Sequence, residues 1–289
     1  MNDTRVNKDI WKFYNISSSK LFVIFVGFMF IPLCAVQAEN KLRFLEVGAG
    51  ISYFSSPHYL GSNQSENYVL PFPHIILKSD VFNVDRSSIE GRVTKSNFFK
   101  IDVSFSGRLK VDEGDNRARQ GMPGLDYVLE AGPSFKFLMY QNQSKDFNLS
   151  FDVPLRGAIA TDFSNAETIG WRVVPTINLH QTWRGEQFWE LDSQLRYLYD
   201  SEKYHDYFYT VEAQYATASR AEYKAQQGGG GVELKVRLKT SYRKMVVGVF
   251  AIYTDVSSAV FVDSPLVVVD HDFSMGIFAS WIFATKGER

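Results

Sequence analysis

Apolar and polar side chains alternate with a period of two along much of this chain. Between residues 99 and 111, one face carries Phe99, Ile101, Val103, Phe105, Gly107, Leu109 and Val111. The other face carries Lys100, Asp102, Ser104, Ser106, Arg108 and Lys110. The segments 147–156 and 232–239 repeat the pattern. Because successive side chains of a β-strand point to opposite faces, each segment is predicted to be a strand with one apolar and one charged face.

Nine further segments have similar patterns, which makes twelve predicted strands. They span about 42–54, 67–78, 81–93, 125–140, 168–183, 187–200, 205–216, 245–255 and 271–283. Most are longer than the ~5–6 residues usual for strands of soluble proteins, and about 10 residues suffice for a tilted strand to cross an outer membrane. A soluble β-sandwich is the alternative, but its strands would be short and often broken. We therefore predict an all-β fold, a transmembrane antiparallel up-and-down β-barrel of about twelve strands.

Short and long connections join these segments. The short ones include Ser79-Asp80, Gln141 to Lys145, Arg184 to Gln187 and Arg243-Lys244. The long ones span about 55–66, 112–124, 159–167, 217–229 and 256–270. Outer-membrane barrels have short periplasmic turns and longer external loops. The twelve segments as drawn do not place every long connection on one side. If 205–216 is part of one large loop, the sidedness of the long connections improves in the second half of the chain, but the number of strands becomes odd.

The N-terminus resembles a secretory signal peptide. Arg5, Lys8, Lys12 and Lys20 precede an apolar run over residues 21–36. Val36 and Ala38 then place small side chains at the −3 and −1 positions of a cleavage site. We expect residues 1–38 to be a signal peptide cleaved after Ala38, and residues 39–289 to form the barrel domain. An uncleaved anchor helix is the alternative. The single cysteine, Cys34, would leave with the signal, so no disulfide is expected.

The charged residues of this chain indicate more about the interior of the predicted barrel than about its binding partners. The formal net charge is −1, which gives no electrostatic reason to expect nucleic acid as a partner. Acids and bases alternate on the polar faces, and they are predicted to form a charge network in the lumen. Its proposed members are Lys100, Asp102, Arg108, Asp152, Arg156, Arg172, Glu233, Lys235 and Arg237. Mixed signs favour a lumen closed by paired charges, and a narrow pore is the alternative.

No catalytic or metal-binding motif emerges from the pattern of reactive residues. Asp270-His271-Asp272 could ligate a metal, with His205-Asp206 joining if the loops met, but adjacent strand residues point to opposite faces. His180 and Asn178 share a polar face near Ser104 and Ser150, yet no serine is singled out as a nucleophile. The run Gly228–Gly231 lacks the Lys-Ser/Thr of a phosphate-binding loop. We expect no enzyme activity, no cofactor and no metal.

Several loop segments resemble the MltA-interacting protein / outer-membrane protein V (MipA/OmpV) family. Residues 57–62 resemble its P-x-Y-x-G-S motif, and residues 70–73 its L-P-x-P segment. Residues 124–126 and 130–132 resemble its central hairpin, and residues 207–228 its long loop. Residues 263–266 resemble its D-S-P-[LI] turn. Two features depart from the family: Tyr209 stands where a glycine is usual, and Ala284 to Arg289 extend past the last strand.

This resemblance implies an outer-membrane protein in contact with outer-membrane lipid. For one branch it implies a scaffold that links a lytic transglycosylase and a bifunctional penicillin-binding protein, and other members are discussed as adhesins or porins. The family-motif loop residues in this chain are Pro57, Tyr59, Gly61, Ser62, Asp263, Ser264 and Pro265. Pro57 fixes φ and Gly61 permits a sharp turn, so these residues are expected either to terminate a strand or to dock a partner.

Overall fold

The computed structural model describes residues 42–79, 82–85, 88–91 and 98–287. The expected signal peptide and its cleavage after Ala38 lie outside these residues. The strands are β1 (Leu42–Pro57), β2 (Ser65–Ser79), β3 (Phe82–Asp85), β4 (Ser88–Gly91), β5 (Phe99–Arg108), β6 (Tyr127–Gln141), β7 (Phe147–Thr161), β8 (Ala166–Val173), β9 (Thr176–Arg184), β10 (Phe188–Asp200), β11 (Gly228–Tyr242), β12 (Met245–Asp255) and β13 (His271–Gly287). One α-helix, α1 (Glu202–Tyr209), precedes β11, and short 3-10 helices span Arg117–Arg119 and Ala213–Tyr215. Among the described residues, no helix is long and apolar enough to cross a membrane.

The strands form one antiparallel sheet that closes on itself. Each strand pairs with its neighbours in sequence, and β13 returns to pair with β1. The segments β8 and β9 lie end to end between β7 and β10, separated only by Val174 and Pro175. Since proline has no N–H to donate, the interruption falls where the ladder loses a donor. Counted as one strand, they bring the described barrel to twelve strands, and the predicted fold class is confirmed.

Two predicted segments were wrong, and their correction settles the sidedness of the connections. Residues 81–93 were expected to be one strand but contain two, β3 and β4. Residues 205–216 were expected to be a strand but lie in α1 and the connection that follows it. Ser201 caps α1 by accepting a hydrogen bond from the Tyr204 N–H, and Tyr204 and Phe208 then share a helix face. The strand count is preserved, and the five connections predicted to be long now fall at one end of the barrel, although the one predicted at 159–167 is a turn of only four residues (162–165).

We call this end the loop end and the opposite one the turn end. The loop end carries L1 (58–64), L2 (109–126), L3 (162–165), L4 (201–227) and L5 (256–270). The described short connections, 142–146, 185–187 and 243–244, lie at the turn end. The first and last described residues also lie there, because Phe44 pairs with Gly287. This arrangement follows the rule of short periplasmic turns and long external loops.

The barrel is apolar outside and charged inside. Ile51, Leu129, Leu195, Leu234 and Ile277 are large apolar side chains on outward faces, and all are exposed. Inward positions carry buried charges, which include Glu46, Asp102, Glu130, Arg156, Arg172 and Asp272. Water would penalise so large an exposed apolar surface, so the medium around the strands must itself be apolar.

Outward aromatic side chains form a ring near each end of the barrel. The ring at the loop end includes Tyr53, Trp171, Tyr197 and Tyr253, and the ring at the turn end includes Tyr140, Trp183, Trp189, Tyr242 and Trp281. On β10, Trp189 and Tyr197 are eight residues apart, which is about 26 Å along a strand and about 20 Å after a ~40° tilt. This matches the ~25 Å apolar band of outer-membrane barrels and its flanking aromatic girdles.

Inward glycines let aromatic rings fill one wall of the lumen. A Cβ at Gly50 would lie 2.4 Å from Cζ of Phe72, and a Cβ at Gly248 would lie 2.5 Å from Cζ of Phe278. The Phe72 and Phe278 rings also meet edge to face, with centroids 6.4 Å apart. Each ring therefore covers a glycine of the neighbouring strand. Apolar rings fill the wall formed by β12, β13, β1 and β2, whereas most of the charges lie on the opposite wall.

An outward apolar side chain at mid-height should be intolerant of charge. Leu195 faces outward beside Ile177 and Leu234, its cross-strand partners. Changing Leu195→Arg should destabilise the protein in lipid vesicles by about 2–4 kcal/mol, because the guanidinium would lie near the bilayer midplane. Urea titration of the vesicle-inserted protein measures this. The control Gln187→Arg, in an exposed turn, should stay within about 1 kcal/mol, and an equal effect of both changes would contradict the assigned orientation.

Candidate functional site

Four loops fold over the loop end of the lumen and close it. L1, L2, L4 and L5 contribute buried apolar side chains to a common core with α1, which we call the plug. Its main members are Tyr59, Leu60, Met122, Leu125, Tyr204, Phe208, Tyr209, Val256, Phe261 and Leu266. The rings of Tyr209 and Phe261 stack with centroids 3.7 Å apart. The side chains of the plug are buried against one another, like those in the core of a soluble domain.

The family-motif residues tie these loops to one another. The Tyr59 hydroxyl donates a hydrogen bond to the Leu266 carbonyl (2.9 Å), and the Ser264 hydroxyl donates to the Tyr209 carbonyl (2.7 Å). Gly61 has φ +85°, and its N–H donates to Asp272 Oδ2 at 2.6 Å. These contacts support the structural interpretation of the two motifs. Pro57 ends β1, Ser62 accepts hydrogen bonds from Asn116 and Gln64, Pro265 is partly buried, and Asp263 is exposed.

Two arginines tie L2 to L4. Arg119 donates to the Phe208 carbonyl (2.8 Å) and to the Pro123 carbonyl (3.2 Å). Arg220 donates to the carbonyls of Ala118 (2.9 Å) and Gln120 (3.0 Å). The guanidinium groups thus satisfy carbonyls that the irregular loop backbone leaves without partners.

Tyr209, which departs from the family pattern, is a central member of the plug. Its hydroxyl donates to the Leu60 carbonyl at 3.1 Å, and its ring packs on Phe261. Burial raises its pKa well above the usual value for tyrosine. A glycine at this position could make neither contact, so the substitution adds both packing and a tie between L4 and L1.

Directly beneath the plug lies a fully buried charge cluster, which we call the upper network. Glu130 accepts hydrogen bonds from Arg172 (3.0 Å), from Arg156 (3.4 Å) and from the Tyr204 hydroxyl of α1 (2.9 Å). Arg172 also binds both carboxylate oxygens of Asp200, at 2.8 and 3.1 Å. The charged side chains of this cluster are at most 7% exposed. Their charges are therefore compensated almost entirely by one another.

His205 connects α1 to the upper network. Its Nδ1 lies 2.7 Å from the Gln226 carbonyl and its Nε2 lies 3.3 Å from Asp200 Oδ2. These two contacts hold the ring between L4 and the barrel wall, and they anchor the helix there.

A second group of ion pairs, the lower network, lines the lumen toward the turn end. Asp192 binds His180 and Arg237, each at 2.8 Å, across β9, β10 and β11. Further pairs join Arg196 to Glu233, Lys239 to Glu190, and Lys136 to Asp152. These side chains are 12–31% exposed. Solvent-sized space therefore lies beside the lower network but not beside the upper one.

All nine residues predicted for the lumen charge network lie on the polar faces of their strands, and the structure joins several of them directly. Arg156 and Arg172 meet at Glu130, Arg108 donates to the Tyr204 hydroxyl (3.4 Å), and Asp152, Glu233 and Arg237 join the lower network. The sequence interpretation missed Tyr204 and Asp200, and it considered His205 only as a metal ligand. The available signal was the helix cap at Ser201 followed by aromatic side chains four residues apart, which the strand interpretation of 205–216 concealed.

The residues considered for hydrolysis do not form a reactive site. Ser104 accepts from Arg156 (2.8 and 3.0 Å), Ser150 donates to Asp152, and His180 binds Asp192. A different constellation was missed: His74 lies 2.9 Å from the Ser280 hydroxyl and 2.6 Å from Glu46. This order resembles a catalytic triad, but the three residues are 3%, 0% and 4% exposed for Ser280, His74 and Glu46. A substrate carbonyl has no approach to the serine in this arrangement.

The candidate metal ligands are separated or already engaged. Asp272 is bound to the Gly61 N–H, whereas Asp270 and His271 are exposed, and His205 contacts Asp200 rather than Asp206. His180, Glu190 and Asp192 do lie within 4.8 Å of one another. However, Lys239 and Arg237 already bind the two carboxylates, so a divalent cation would have to displace existing ion pairs.

A closed antiparallel sheet with a lipid-compatible exterior, two aromatic rings and a charged interior defines an outer-membrane β-barrel. Residues 47–283 match the family model described as "MltA-interacting protein MipA". The chain belongs to this family.

The solved structures that resemble the chain do so at low sequence identity. A bacterial polysaccharide outer membrane secretin is 10% identical with a TM-score of 0.42, covering 82% of this chain and 98% of that one. The NanC porin is 8% identical with a TM-score of 0.35, covering 83% and 99%. The outer membrane protease OmpT from Escherichia coli is 9% identical with a TM-score of 0.28, covering 86% and 98%. A search of curated proteins gave no match.

Removing the central arginine of the upper network should destabilise the barrel strongly. In Arg172→Ala, Glu130 and Asp200 would lose a buried counter-charge, which costs about 3–5 kcal/mol. The control Lys203→Ala removes the exposed pair with Glu167 and should change stability by less than about 0.5 kcal/mol. Denaturant unfolding in detergent compares the two. A change below 1 kcal/mol for Arg172→Ala would contradict the buried network.

The plug should weaken in strongly alkaline solution. Burial raises the pKa of Tyr59 to about 12, above the ~10 of an exposed tyrosine. The folded state therefore holds the phenolic proton longer, so the contribution of this group is complete below about pH 10 and is lost as the pH rises to about 12. The loss should reach about 2–3 kcal/mol. Unfolding midpoints measured across this range should fall less steeply for Tyr59→Phe, and an unchanged slope would contradict the assignment.

Proposed function

We propose that this protein is a closed, non-catalytic outer-membrane scaffold that holds peptidoglycan-remodelling enzymes at its periplasmic end. The observation that carries the proposal is the plug, whose buried core of four loops and α1 covers the loop end of the lumen. A barrel built for diffusion would leave a continuous water path. A barrel whose loop end is filled with packed side chains above a compensated charge network is suited instead to be a rigid anchor.

The turn end offers the surface for such partners. Short turns of outer-membrane barrels face the periplasm, where peptidoglycan lies. In this chain the turn end carries the exposed side chains of Arg184, Arg243 and Lys244 together with the aromatic ring that includes Trp183 and Trp281. Exposed arginine and aromatic side chains are frequent anchors of protein interfaces. The family description, which names an interaction with MltA, supports a lytic transglycosylase as one partner.

A narrow pore is the second candidate, and one observation favours it. The side chains of the lower network are 12–31% exposed, so part of the lumen holds solvent. The pore hypothesis requires the plug to move, because L4 and α1 lie between this space and the loop end. The scaffold hypothesis requires the plug to stay in place.

Charge reversal at the turn end should abolish capture of the partners. The triple change Arg184→Glu, Arg243→Glu and Lys244→Glu should remove peptidoglycan enzymes from those captured by the tagged, detergent-purified barrel, as identified by mass spectrometry. The control reverses Lys203 and Lys224, two exposed lysines at the loop end, and should leave capture unchanged. Equal capture by wild type and the triple variant would contradict the proposed surface. Failure of wild type to capture any such enzyme would contradict the scaffold itself.

Conductance in planar bilayers separates the two candidates. The wild-type barrel should be electrically silent because the plug is packed. The triple change Tyr204→Ala, Phe208→Ala and Tyr209→Ala removes three of its central side chains and should produce steady single-channel steps. Steady steps from the wild-type protein would favour the pore and overturn the closed scaffold.

A further inference from the structure

One lysine of the lumen stands apart from the ion pairs around it. Lys235 faces inward from β11, opposite Gln194 of β10 and Ile252 of β12. Among the residues that the structure describes, no carboxylate lies within 4 Å of its ammonium and no hydrogen bond reaches it. Its neighbours two residues away on β11, Glu233 and Arg237, are both paired across to β10. Lys235 is thus a partly buried cation without a counter-ion.

The groups around Lys235 make the local charge positive. Arg196 and Asp192 flank Gln194, its partner on β10, and Glu233 and Arg237 flank Lys235 itself on β11. Glu233 is bound by Arg196. Asp192 is likewise engaged, with His180 and Arg237. No carboxylate in this set is left to compensate Lys235.

A cation excess beside solvent inside an apolar shell favours an anion. Coulomb interactions are strong where the lipid-facing wall lowers the local dielectric. Arginine and lysine side chains donate charge-assisted hydrogen bonds that fit carboxylate and phosphate oxygens. The lower network, which begins at this level of β11, is partly exposed, so these cations are in contact with solvent.

We propose that the lumen binds a small oxyanion, a carboxylate- or phosphate-bearing solute, between Lys235 and the guanidinium groups of Arg196 and Arg237. The plug closes the loop end above these residues, so the anion enters from the turn end, the periplasmic side. The site is independent of the surface proposed for protein partners, because its residues face the lumen. It also gives the solvent-holding part of the lumen a role that needs no movement of the plug.

The test is the thermal unfolding midpoint of the detergent-purified barrel in inorganic phosphate and in chloride at matched ionic strength. A ligand that binds only the folded state stabilises it by RT ln(1 + [L]/Kd), so the midpoint rises with ligand concentration relative to Kd. Phosphate should raise the wild-type midpoint above its value in chloride. Lys235→Met should lose this increment, and calorimetric titration should show affinity for phosphate weakened roughly tenfold or more. Lys235→Arg, which keeps the charge, should retain the increment, as should Lys203→Gln at the distant loop end.

The variants also test the charge argument without any ligand. In chloride, Lys235→Met should be at least as stable as wild type, because it removes a partly buried ammonium that has no counter-ion of its own. An increment that persists in Lys235→Met, or the absence of any difference between phosphate and chloride in wild type, would overturn the anion site. If Lys235→Met failed to fold, loss of the phosphate increment in Lys235→Gln would support the site and its persistence would overturn it.

Discussion

The constraint on which the rest of this structure depends is that no backbone N–H or carbonyl of the spanning strands can face lipid unpaired. Each orphan group would cost several kcal/mol in hydrocarbon, and only a sheet without edges avoids that cost. Here β13 closes the sheet by pairing with β1 along almost its whole length, and the combined strand β8–β9 keeps both neighbours despite Pro175. Closure then forces the alternating side chains into two media, with the apolar set in lipid and the polar set enclosed.

Enclosing the polar set creates the second problem that the protein solves. Charges inside a narrow barrel cannot rely on bulk water, so they need partners of opposite sign. Near the plug the solution is complete: Arg156 and Arg172 compensate Glu130 and Asp200, and Tyr204 brings the helix into the same network. Plug and wall are therefore one electrostatic unit. Toward the turn end the solution is looser, because solvent shares the compensation and Lys235 is left over.

Patterns in the sequence predicted the barrel but not its plug. Alternation in the segment 99–111 reports which face of a strand is apolar, a property of consecutive residues, so strands and inward charges such as Arg172 were predictable. The segment 205–216 was predicted wrongly because its polar and aromatic residues fit the period of a strand as well as that of a helix. Only the cap at Ser201 indicates the helix. The tie from Tyr59 to Leu266 joins residues 207 positions apart. No local pattern encodes such a contact, so the motifs were recognisable while their mutual packing was not.

The two ends of the lumen now carry opposite properties, and this asymmetry bears on function. A pore needs its weakest packing along the path of the solute, yet a buried core lies across that path, where Tyr209 of α1 stacks on Phe261 of L5. An anchor needs rigidity at one end and an accessible surface at the other. The solvent below the upper network does not argue for transport, because a recess that is open on one side can bind a solute without passing it. The distribution of packing, more than the presence of water, therefore favours a closed barrel that acts from its periplasmic side.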